Sequence, residues 1–169
     1  MPKPPRKPAR PVTMDDIMSS AFEPNPDSLL DPTLRGHLTV EALLIEFIQL
    51  RRQDDKIYRL SFPDKADFLA KEGLIHSGLR DALIDFNEWR NDFAHVFGHE
   101  ARFADVHALA RQLEKHGVDF SDSVGWQAPD EAARNYGGEL GVLAEILWCL
   151  SFEVAHAMME AGGRDLFAG

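Results

Sequence analysis

The stretch Asn87-Glu88-Trp89-Arg90-Asn91-Asp92-Phe93-Ala94-His95 places an arginine, a histidine and two asparagines within nine residues of helical spacing. On a helix over residues 78–97, at about 100° per residue with Asn87 at zero, the apolar residues fill an arc of roughly 200° to 340°. That stripe holds Leu79, Ala82, Leu83, Phe86, Trp89, Phe93 and Ala94, with Arg90 inside it at roughly 300°. Asn87, Asn91 and His95 align at roughly 0° to 80°. A guanidinium within an apolar stripe needs an anion, a hydrogen-bonded partner or a route to water.

These residue types suit phosphodiester cleavage without a metal. An imidazole can move the proton of a ribose 2′-hydroxyl or of the leaving oxygen. A guanidinium can hold the negative charge that develops. Asn91, one turn from His95, can bond the phosphate or orient the ring. Arg90 and His95 stand about 140° apart around the helix and about 7.5 Å apart along it, so they do not share a face. Convergence is easier when a second copy of the helix lies opposite. The competing reading of the same spacing pairs Arg90 with an internal carboxylate and makes His95 a helix end.

The rest of the chain supplies helices to position this one. Asp31-Pro32 reads as an N-cap and first helical residue, opening a helix to about Arg52 with Leu34, Leu38, Ala42, Ile45 and Ile48 as core positions. Ser61-Phe62-Pro63-Asp64 fits a capping box before a short helix through Ala66, Leu69 and Ala70, closed by Gly73. Phe103–His116 carries Val106, Leu109, Ala110 and Leu113 at helical spacing and stops at Gly117. Residues 118–128 read as loop, and Pro129 opens a short helix ending near Gly137-Gly138. Glu139–Met159 is the longest pattern, with Leu140, Leu143, Ile146, Leu147, Leu150, Val154 and Met158. Glu145 and Glu153 bracket its most apolar run, which favours a buried bundle or dimer helix over a membrane span. No segment alternates at period two. The expected fold is an all-α bundle with a long C-terminal helix.

At 169 residues, with 44% hydrophobic and 27% charged content, the chain fits one domain with its own core. Residues 1–26 are expected to be a flexible tail, proline-rich and basic at its start, and residues 27–169 the helical domain. Lys3, Arg6, Lys7 and Arg10 meet no acid in residues 1–11, so the remainder sets 14 basic residues against 28 acidic ones, about −14 by formal count. So acidic a body disfavours sequence-independent binding to long nucleic acid, and no basic recognition helix argues for a DNA reader. The single cysteine, Cys149, has no internal partner and sits in an apolar run as an inert thiol, and a cytoplasmic location is expected. His95, His99 and His107 with Glu100 and Asp105 match no strong metal-ligand spacing and read as an exposed polar face. His37 and His76 read as surface or hydrogen-bonded residues, Lys65 and Lys71 as solvated charges or RNA contacts. Tyr136, Trp126 and Trp148 read as packing residues.

Arg90-Asn91-Asp92-Phe93-Ala94-His95 resembles the R-x4-H motif of the HEPN superfamily, including the polar residue after the arginine. Lys65-Ala66-Asp67-Phe68-Leu69-Ala70-Lys71-Glu72-Gly73-Leu74-Ile75 is similar to the K-x-x-x-A…LGLI segment of its mannitol-repressor-like branch, and RNDFAH to that branch's IRNxFAH. The resemblance spans roughly residues 34–116. It implies an all-α, dimeric fold in which two motifs meet, and a metal-independent endoribonuclease of the toxin–antitoxin or phage-defence kind. Mapped here, Arg90 and His95 are the catalytic pair, with Asn91 and Asn87 as supporting, substrate-binding residues. No cofactor or metal is implied. The partners implied are a second copy, RNA, and an antitoxin or regulatory protein, with no membrane. The same branch implies an alternative, a non-catalytic regulatory or partner-binding protein with Arg90 as an interface ion-pair residue. Phe97 stands where related toxins carry a modifiable tyrosine, so control through that tyrosine is not implied.

Overall fold

A computed structural model describes residues 11, 13, 28–120, 124–166 and 168. Nearly all of the expected tail lies outside the described residues. Among the described residues, six α-helices and one 3₁₀ turn follow in order: α1 (Leu30–Gln49), the turn Asp55–Arg59, α2 (Phe62–Lys71), α3 (Ser77–His95), α4 (Phe103–Lys115), α5 (Pro129–Tyr136) and α6 (Glu139–Glu160). There is no strand among the described residues, and the fold is all-α.

Local chemistry sets most boundaries. Ser61 Oγ accepts from Asp64 N at 3.2 Å while Asp64 accepts from Ser61 N at 3.4 Å, the reciprocal box expected at the start of α2. Pro129 opens α5, and Gly137 ends it in the left-handed region at φ 71°. The start of α1 differs from expectation. Leu29 is its N-cap, without a side-chain hydrogen bond, and Asp31 lies in the first turn, where its charge still favours the helix dipole. His76 caps α3, its Nδ1 accepting from Leu79 N at 3.1 Å.

Helix directions follow from a few close contacts. A Cβ on Gly36 would meet Leu147, and Arg164 reaches back to Glu46, so α1 and α6 run side by side in the same direction. His37 bonds Asn87, and His76 lies 3.9 Å from Glu153, which sets α3 antiparallel to both. The loop after α3 returns α4 alongside it, where His116 bonds Asp85 at 2.8 Å. A Cβ on Gly78 would fall 2.0 Å from the His116 carbonyl oxygen, so only glycine admits this approach. The core runs from Val40, Leu44 and Phe47 through Leu69, Leu83 and Phe86 to Val106, Leu113, Leu143, Ile146 and Leu150.

The register of α1 corrects the expected one. Its buried positions are Thr33, His37, Val40, Leu44, Phe47 and Ile48, whereas Leu38 is 59% exposed. The inward stripe opens with a threonine and a histidine, which hydrophobic periodicity does not register as core. On α6, Leu143, Ile146, Leu150, Val154 and Met158 are buried as expected, but Leu140 faces outward. Glu139–Glu160 is the one described helix long and apolar enough, by length and composition, to cross a membrane. It carries four glutamates and packs on α1, α4 and α5.

Candidate functional site at the C-terminal half of α3

From Leu79 to Asn87, α3 is buried along one stripe; beyond Trp89 it is only half-buried or exposed. Arg90 stands where the helix leaves the core. Its Nη1 donates to Asn91 Oδ1 at 3.1 Å, and its buried Nε has no hydrogen-bond partner. No carboxylate pairs with it among the described residues. His95, the last residue of α3, is exposed, as is Ala94, which periodicity had assigned to the core. One chain therefore presents a half-buried guanidinium and a solvent-facing imidazole on different sides of the same helix end.

Asn87 overturns its expected place on the polar face beside Asn91 and His95. It is buried, and His37 Nε2 bonds its Oδ1 at 3.1 Å across the α1–α3 contact. The His37 ring stacks on Phe62 at 4.3 Å between centroids, so this imidazole joins α1, α2 and α3. Burial pushes the His37 pKa below its ordinary value; the bond to Asn87 opposes that shift, and the positive charge of Arg90 adds to it. Lys65, expected in solvent or against RNA, is also inside. Its Nζ donates to Glu41 Oε1 at 2.8 Å and to the Leu60 carbonyl at 2.6 Å. His37 thus lies in a polar assembly of buried Asn87 and Lys65 with the half-buried Glu41, within reach of the charge of Arg90. Thr33 Oγ1 and His37 Nδ1 are buried there without hydrogen-bond partners. The signal for it in the sequence was the i, i+4 spacing of Thr33 and His37 in phase with Val40 and Leu44.

Comparison of the chain with family models, with curated proteins and with solved structures finds no match.

The remaining candidates separate. His107 is buried rather than exposed, bonding the Val124 carbonyl at 3.0 Å, and His99 packs edge-on against Phe93 with its Nε2 buried. With His95 outside, these three histidines point to different places, and no group of three potential ligands lies close together among the described residues. Trp126 and Trp148, expected to pack, are 82% and 63% exposed. Cys149 is buried.

Proposed function

We propose that the protein is a metal-independent endoribonuclease of the HEPN type, acting as a homodimer in which two α3 ends face each other and pool two Arg90/His95 pairs. The observation that supports this reading most is the state of Arg90: a half-buried guanidinium that, among the described residues of a strongly acidic chain, is bonded only to a neutral asparagine. A cation kept free of carboxylates is available to a phosphate.

The chemistry then follows from the residue types. His95, as general base, takes the proton of a ribose 2′-hydroxyl. The 2′-oxygen forms a bond to phosphorus while the bond to the 5′-oxygen breaks, and a protonated imidazole delivers a proton to that leaving oxygen. Arg90 stabilises the charge on the non-bridging oxygens, and Asn91 holds the phosphate. The products are a 2′,3′-cyclic phosphate and a 5′-hydroxyl. Asn87 serves this site through its bond to His37, rather than by touching substrate.

The test compares RNA cleavage in EDTA by wild type, Arg90→Gln and His95→Ala at equal folded concentration. Either substitution is expected to lower the rate about 100-fold or more. Wild type that cleaves none of a broad RNA panel, and causes no growth arrest on expression, overturns the nuclease. Those results leave a regulatory protein whose Arg90 forms an ion pair at an interface.

A further inference from the structure

A groove of about 610 Å³ lies at the opposite end of α3, between the α2–α3 connection and the second half of α6. Leu74, Ile75, Leu79 and Cys149 are among its apolar lining, while Asp119, Glu153 and Glu160 are carboxylates along it. No lysine or arginine lines it; His76 lies 3.9 Å from Glu153 and His156 3.6 Å from Glu160. Trp148 and Phe152 stand at its edge, 63% and 43% exposed. They continue a ridge of solvent-facing residues at i+4 spacing, Leu140, Ala144, Trp148 and Phe152, about 18 Å long.

We propose that this groove and ridge form a docking surface for a basic amphipathic helix of a partner protein. A straight apolar ridge beside a trough matches a helix laid along α6, which would insert side chains at i, i+3, i+4 and i+7. Charge selects the occupant. α6 carries Glu139, Glu145, Glu153 and Glu160 with no lysine or arginine. A second copy packed α6 against α6 would set glutamates against glutamates, and an anionic lipid surface would meet the same repulsion. A helix with an apolar face flanked by lysine or arginine answers both the ridge and the carboxylates. Glu153 is central to this match: its Oε1 accepts from Asp119 N at 2.9 Å, its Oε2 lies 3.9 Å from His76, and its side chain is only 18% exposed, so an incoming cation would be partly shielded from water.

The probe is a fluorescein-labelled synthetic peptide of about 18 residues, with leucine at i, i+3, i+4 and i+7 spacing and lysine elsewhere. Fluorescence anisotropy with the full chain should show saturable, micromolar binding that weakens with added salt. Trp148→Ser and Glu153→Gln should each weaken it about tenfold. Phe152→Ser, read alongside, keeps the test valid if one of these variants fails to fold by circular dichroism. Equal binding of a sequence-scrambled peptide, or absence of binding, overturns the proposal. So does sedimentation showing a dimer of the chain that Trp148→Ser dissociates, since the surface would then belong to a second copy. The α3 C-terminus plays no part in this experiment, so its outcome is independent of whether RNA is cleaved.

Discussion

The two ends of α3 distribute polarity in opposite ways. At the C-terminal half, polar groups lie inside: Asn87, His37 and Lys65 are buried and bonded to one another or to Glu41. At the N-terminal end, aromatic and aliphatic surface lies outside, in a groove edged by carboxylates, while the interior around Leu79 is apolar. Buried hydrogen-bonded groups fix one geometry, because any displacement strands a donor or acceptor away from water. Exposed apolar surface fixes nothing and gains free energy only when covered. The first end is held in one geometry; the second is stabilised only when covered.

That contrast can be broken most strongly at Lys65. Removing its ammonium leaves Glu41 without its cation, so Lys65→Ala should cost about 2 to 3 kcal/mol in urea unfolding, below the value for a fully buried pair because Glu41 keeps part of its side chain in water. A loss under about 0.5 kcal/mol would mean that the polar assembly holds nothing.

The His37–Asn87 bond sharpens the comparison through pH. His37 has its pKa lowered in the folded chain, so the unfolded chain binds more protons between that value and about 6.5. Its contribution to stability is fully present above about pH 6.5 and is lost as pH falls toward the folded value. Urea midpoints between pH 7.5 and 5.5 should therefore fall less steeply for His37→Gln than for wild type. Identical slopes would place His37 in water. The smallest effect belongs to the other end, where Trp148→Ser should change unfolding free energy by no more than about 0.5 to 1 kcal/mol. A larger loss would make that tryptophan part of the core.

Helix number, type and order were legible because caps and breakers carry local chemistry: Ser61 with Asp64, Pro129, Gly137 and Gly117 needed no tertiary information. Leu143, Ile146, Leu150, Val154 and Met158 were legible as core because this apolar face of α6 is buried by α1, α4 and α5 together. The site was legible in part. Arg90 and His95 were found on one helix end, and Arg90 does fall beside the buried stripe. Asn87 was misplaced because an amide at the stripe's edge reads as polar in any periodic count, although His37 supplies its partner from 50 residues away. Leu38 was misplaced by the complementary error, an apolar residue that three neighbouring helices leave outside. The exposure of Trp148 has no local signature, since only the arrangement of neighbouring helices decides whether a tryptophan on so apolar a helix is covered.

The ring stack and hydrogen bond of His37 also bear on the lifetime of the native chain. The contact with Asn87 closes a long loop, so it can form only after α1, α2 and α3 have already come together. Interactions completed that late are largely absent from the folding transition state. Weakening the bond should leave the refolding rate nearly unchanged and accelerate unfolding. The imidazole that joins α1, α2 and α3 would thus act as a latch on the bundle, setting how long the folded form persists rather than how quickly it is reached.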